Sequence, residues 1–213
     1  MKPGTRALGI AESTDGHSGR AVLCGAVVRA DRVVDGFAYA TATVGGLDAT
    51  DAVCALLDRL NREDVQYLLV SGVAPAWFNI LDLDRIAEAA DRPVLALSYE
   101  ASPGLEPALR EQFEGQALDS RLAVYERLPP RRRLRVNDET LFVRAVDSGD
   151  DGGEAGPDDA DAPVDSVDDE FERVVRAYTP TGGRPEPVRV ARLAARAARQ
   201  WCEQAPVEAD RHG

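Results

Sequence analysis

Apolar residues recur along this chain with two periods, and the switches between them predict its elements. Residues 6–11, 20–29 and 33–44 read as strands, the third with partial alternation through Phe37, Tyr39, Thr41 and Thr43. The link Ala30-Asp31-Arg32 is short enough to make the last two a hairpin. Over residues 49–62 the period changes: Val53, Leu56, Leu57 and Leu60 fall at i, i+3, i+4 and i+7, the stripe of an amphipathic helix. Residues 67–70 and 93–97 are short, wholly apolar runs of the buried-strand kind. Between them Leu83, Ile86, Ala87 and Ala90 repeat the helical spacing. Residues 103–113 predict a helix with Pro103 in its first turn. Residues 122–125 and 134–136 are weaker strand candidates, and Asn137-Asp138 reads as a turn before a strand at 141–146. Helices at 171–178 and 187–200 close the pattern. A hairpin followed by strands alternating with helices predicts an α/β fold, a mixed sheet flanked by helices. At 213 residues one domain with a sizeable core is expected.

Residues 148–169 break the pattern. They are Asp, Gly, Pro and Ala with almost no large apolar group, so burial cannot offset the entropy of ordering them, and a disordered acidic insertion is expected. The insertion also explains the charge. Residues 147–172 carry 12 acids and no Lys or Arg, so the net charge of -12 sits there and the remainder is close to neutral. Lys2 is the single lysine among 25 basic residues. Scarce lysine with abundant aspartate suggests a salt-loving archaeal source, although a GC-rich genome accounts for the arginine bias equally well. No window approaches the ~18 apolar residues of a membrane helix, and the N-terminus lacks the apolar stretch of a signal peptide. A cytoplasmic protein without a membrane partner is expected. Cys24, Cys54 and Cys202 form no CxxC pair, which argues for core or surface thiols over a zinc site.

Four blocks carry candidate chemistry: Gly9-Ile10-Ala11-Glu12; Gly46-Leu47-Asp48-Ala49-Thr50; Val70-Ser71-Gly72-Val73 running into Phe78-Asn79; and Arg184-Pro185-Glu186-Pro187-Val188-Arg189-Val190-Ala191. In this order and spacing they resemble an archaeal domain-of-unknown-function family, number 99, itself related to endonuclease V. The resemblance covers roughly residues 6 to 201. It implies a ribonuclease H-like fold and a nuclease ancestry, in which acids from the first strand, the opening of the first helix and the next parallel strand gather around Mg²⁺ or Mn²⁺. Such an ion activates water and offsets phosphate charge, and it takes hard oxygen ligands. Mapped by motif, the three positions are Ala11, Asp48 and Ser71. Ala11 offers no ligand, Ser71 a neutral hydroxyl, and Asp48 alone an acid. The resemblance therefore implies a degenerate metal site and a non-catalytic protein that binds nucleic acid or a protein partner, with no cofactor expected. Mg²⁺ or Mn²⁺ enters only under the alternative, an active endonuclease on DNA or RNA that uses Glu12, Asp48, Asp15 or His17. A third reading is an adaptor whose acidic insertion contacts a protein.

Individual residues keep two readings. Glu12 matches the second acid of the family's paired pattern, yet a regular strand points it away from the face of Ala11. Asp48 precedes the first helix, where it suits an N-cap as well as a remnant ligand. Trp77 suits packing under its loop, or stacking on a base; Asn79 is expected to bond backbone within its turn. Arg189, Arg192, Arg196 and Arg199 share one side of the last helix and would meet phosphates, pair with acids or stay solvated. Val190, Leu193, Ala194, Ala197 and Trp201 share another side, expected to be core. The cluster at residues 131–133 is a second basic candidate. His17 reads as a base, a ligand or a solvated loop residue, and His212 lies in the tail. Neither a Walker loop nor GxGxxG is present.

Overall fold

Three strands run antiparallel at the start of the chain: β1 (Arg6–Ser13), β2 (Arg20–Arg29) and, after a short link, β3 (Val34–Thr43). The computed structural model describes residues 1–16, 19–147 and 169–204. The expected insertion at 148–169, His17 and His212 thus fall almost wholly outside the described residues. Helix α1 (Ala49–Leu60) follows, then β4 (Val65–Ser71), the short turn α2 (Pro75–Phe78), α3 (Leu83–Ala90) and β5 (Val94–Ser98). Helices α4 (Glu106–Gln112) and α5 (Gly115–Tyr125) lead to the hairpin β6 (Arg132–Val136) and β7 (Glu139–Val146). Helices α6 (Asp169–Tyr178) and α7 (Glu186–Gln204) complete the described chain.

The strands form one seven-stranded sheet in the order β3-β2-β1-β4-β5-β7-β6. Strands β1, β4 and β5 are parallel at its centre, with antiparallel strands on either side. One face buries Leu8, Ile10, Leu68 and Val70 against Val53 and Leu56 of α1 and Leu83 and Ile86 of α3. The other buries Ala7, Leu69, Leu95 and Leu97 against Val174, Val175 and Tyr178 of α6 and Val188 of α7. Helix α7 lies unusually close on β1, because Gly9 presents no side chain: a Cβ there would collide with the Pro187 carbonyl group.

Edge strand β3 is long enough to invite pairing with another chain, but arginines occupy its outward carbonyls. Arg59 donates to the Tyr39 carbonyl at 2.8 Å, Arg62 to that of Asp35 at 3.3 Å and Arg20 to that of Thr41 at 3.2 Å.

Four expectations need correction. Residues 122–125 are the end of α5, where Leu118, Leu122 and Tyr125 repeat at helical spacing and pack with Leu109 and Ile80; a four-residue apolar run does not distinguish strand from helix. Helix α4 begins three residues later than expected, with Pro107 in place of Pro103 in its first turn. Strand β1 runs on to Ser13, carried past its apolar stretch by pairing of Glu12 with Leu23 and of Ser13 with Val22. Helix α7 buries Val188, Ala191 and Ala195, leaving Leu193 53% and Trp201 71% exposed. The close approach over Gly9 favours a stripe of small and medium-sized residues, and Leu193 and Trp201 are turned outward.

Candidate functional site

The parallel strands β1, β4 and β5 end together, and in open α/β sheets ligands sit at such carboxyl ends. Here the ends present Ala11 and Glu12, Ser71, and Ser98 with Tyr99. The register Ile10 to Val70 brings Ala11 and Ser71 next to each other, and alternation turns both toward α7. Ala11 is buried with Ala26, Val28 and Ala191 of α7. Ser71 opens onto a cleft shared with Tyr99, Arg131, Arg144, Arg184 and Arg192.

Glu12 ends up on the opposite face. Burial pushes its carboxyl above the ordinary range, against the opposing pull of the Ala76 N–H and of Arg192. Its Oε2 is buried without a hydrogen bond. The N–H that Glu12 faces belongs to a strained segment, since Ala76, Trp77 and Phe78 all have positive φ (49°, 56° and 61°). Left-handed backbone costs a non-glycine residue roughly 1–2 kcal/mol, so the surroundings must over-determine it. They do: Gly45 N–H donates to the Ala76 carbonyl at 2.7 Å, Arg121 Nε to that of Phe78 at 3.1 Å, and the Trp77 ring packs 5.3 Å from that of Phe113.

Asp48 sits at the corner between β3 and α1. Its carboxylate accepts from the Thr43 N–H at 2.9 and 3.1 Å, the Thr43 hydroxyl at 2.8 Å and Asn79 Nδ2 at 2.7 Å. Burial raises its carboxyl, but these bonds outweigh that and hold it below the ordinary range. The expected N-cap bond is absent; Asn79 Oδ1 accepts from the Ala49 N–H at 2.9 Å instead. Asn79 therefore does not serve its own turn. Fully buried, it ties the α2 segment to β3 and α1. Arg121, 3% exposed, completes this corner by donating to the carbonyls of Gly45, Gly46, Phe78 and Ala117 while stacking 3.8 Å from the Phe113 ring. Nothing in its local sequence marks it, because three of its four partner carbonyls lie 43 to 76 residues away.

The arginine stripe of α7 divides. Arg189 pairs with Glu186 at 2.5 Å, and Arg199 pairs with Glu203 and donates to Ser13 Oγ at 3.1 Å. Arg192 and Arg196 line a second cleft with Glu12 and Thr14. Arg131 donates to Ser98 Oγ at 3.2 Å and stacks on Phe142, whereas Arg132 and Arg133 lie on edge strand β6. Asp15 is exposed beyond the end of β1.

As donors for Mg²⁺ or Mn²⁺ these residues do not fit. The ion needs several oxygens replacing water; Ala11 supplies none, Ser71 a hydroxyl, Asp48 an already satisfied carboxylate, and Glu12 one oxygen facing the charge of Arg192. Among the described residues no three His, Cys, Asp or Glu side chains gather as a metal site. No described helix is long and apolar enough to cross a membrane.

The mixed sheet flanked by helices is an α/β fold of the endonuclease V kind. The chain belongs to the Endonuclease dU family, whose model matches residues 3–154. A UPF0215 protein of Pyrobaculum calidifontis is 30% identical over 196 residues, covering 91% of this chain and 97% of the relative. A crystal structure of a protein of unknown function from Archaeoglobus fulgidus superposes with a TM-score of 0.70 at 24% identity, covering 91% of this chain and 97% of that one. Endonuclease V of Ciona intestinalis, in complex with DNA containing an inosine followed by a ribo-adenosine, superposes with a TM-score of 0.53 at 13% identity over 93% of this chain and 87% of that one.

Proposed function

We propose that this protein binds nucleic acid on an endonuclease V-like scaffold without cutting it. The observation that carries the reading is the setting of Ala11: at the strand position where the family resemblance calls for a metal-binding acid, the side chain is a methyl group packed on Ala191, one residue from Arg192. A site of this composition favours phosphate over a divalent cation. The family's name points to DNA containing deoxyuridine as the first substrate to try, and the Ciona complex points to inosine.

Calorimetry of the full chain with Mn²⁺ is expected to give no tight site, and duplexes containing deoxyuridine or inosine are expected to bind and remain intact. A micromolar Mn²⁺ site, or cleavage, abolished by Asp48→Ala would replace this reading with the alternative. The unpartnered Oε2 of Glu12 favours that alternative, an active Mg²⁺- or Mn²⁺-dependent endonuclease built on Glu12 and Asp48. In the alternative, Glu12→Gln abolishes cleavage together with Mn²⁺ binding. The adaptor reading rests on the acidic residues 148–169, and removing them would cost protein binding while sparing nucleic acid.

A further inference from the structure

The cleft onto which Ser71 opens has a volume of about 600 Å³, within the range that takes a nucleotide-sized ligand. Arg131, Arg144, Arg184 and Arg192 all reach it, against one acidic lining residue, Glu100, whose carbonyl accepts from Arg131. Glu12 adds its attraction for Arg192 from the neighbouring cleft. Even with both glutamates ionised, guanidinium groups outnumber carboxylates two to one, in a chain whose net charge is -12. Gathering like charges is unfavourable, and an anion in their midst offsets the repulsion.

The groups are also disposed to bind. Arg131 and Arg144 are held by the scaffold, the first by Ser98 and Ser102, the second by the Pro129 carbonyl and, at 3.5 Å, the Tyr125 hydroxyl. Arg184 rests 4.5 Å from the centre of the Tyr99 ring, and its charge and hydrogen-bonding reach toward the Tyr99 hydroxyl oppose the rise in pKa that burial imposes there. The salt bridges of α7 engage Arg189 and Arg199 and pass over Arg192. The Tyr99 hydroxyl is buried and its proton meets no acceptor, since a guanidinium can only donate. A planar guanidinium meets two phosphate oxygens at once, which a point charge does not.

We propose that this cleft binds a phosphate group directly through Arg184 and Arg192, with the Tyr99 and Ser71 hydroxyls donating and Arg131 and Arg144 supplying the opposing wall of charge. Guanidinium groups here do what a divalent ion does in a metal nuclease, neutralising the oxyanion. The inference shares with the proposed function the missing metal ligands, but it does not require the ligand to be nucleic acid; a free phosphorylated metabolite presents the same group.

The test uses the full chain in EDTA at fixed ionic strength, titrated with inorganic phosphate. The wild type is expected to bind and to gain thermal stability, and R184Q/R192Q to lose at least tenfold in affinity. Tyr99→Phe is expected to weaken binding about threefold without lowering the melting temperature in the absence of phosphate. Phosphate binding that is absent in the wild type, or equal in wild type and double variant, overturns the proposal. Should the double variant not fold, Arg184→Lys, which keeps the charge and loses the fork, replaces it; unchanged affinity in both Arg184→Lys and Tyr99→Phe is then the overturning result. A 5′-phosphorylated oligonucleotide separates the sources. Its binding lost together with that of phosphate assigns the cleft to a nucleic-acid phosphate. Phosphate binding lost in the variant while oligonucleotide binding persists assigns it to a free ligand. Phosphate bound with no oligonucleotide binding in the wild type supports the cleft and overturns nucleic-acid binding as the function.

Discussion

At the end of β1, the carboxyl of Glu12 lends itself to a pH test. Its carboxyl, raised by burial above its ordinary 4.5, holds a proton more tightly in the folded chain than in the unfolded one. Stability tied to it is therefore greatest below that ordinary value and falls as pH rises through the folded-state value. At neutral pH the buried, half-satisfied carboxylate opposes folding. Glu12→Gln is expected to raise the melting temperature at pH 7, with the difference vanishing below pH 4.5. Equal melting of the two proteins at pH 7 would mean that the Oε2 is hydrated. Asp48 behaves oppositely: its hydrogen bonds depress its carboxyl, so the stability it contributes is present above the unfolded value and is lost on acidification.

The contact between β1 and α7 sets how near the arginines of α7 come to the strand ends. It depends on Gly9, because the Pro187 backbone occupies the space of a β-carbon. Gly9→Ala should cost about 3 kcal/mol or more, since backbone on both sides must give way. Denaturant unfolding measures this, and a loss under 1 kcal/mol would show that α7 lifts off freely. The same contact explains why the larger apolar residues of α7 face outward. In sequence, Val190, Leu193, Ala194, Ala197 and Trp201 form a convincing stripe, yet the buried stripe is the one of smaller residues, Val188, Ala191 and Ala195. Periodicity locates a helix; which of two competing stripes it buries depends on how close its partner strand lies.

Along the whole chain, charge is unevenly distributed. The acidic excess sits at residues 147–172, while Arg192 and Arg196 cluster beside Glu12 at the far end of β1. Nucleic acid bound there would release counterions in proportion to the phosphates met. Arg192→Glu with Arg196→Glu is expected to weaken binding uniformly across sequences and to reduce the slope of log K against log salt by roughly two, about one per phosphate contact. An unaltered slope would place nucleic acid on another face.

Much of this protein is legible in its sequence. The hairpin, α1, the buried strands β4 and β5 and the two C-terminal helices follow from periodicity, because apolar spacing is a local property that a strand or helix must satisfy to be buried at all. Ala11 and Ser71 are legible as a methyl group and a hydroxyl at positions where the family resemblance implies acids. What tertiary structure decided is who meets whom. Asn79 takes over the helix cap from Asp48, Arg121 binds carbonyls 43 to 76 residues away, and Arg131, Arg144, Arg184 and Arg192 reach a common cleft from separate parts of the chain. None of these meetings has a local signature, since each depends on the order and register of strands that long-range pairing alone fixes.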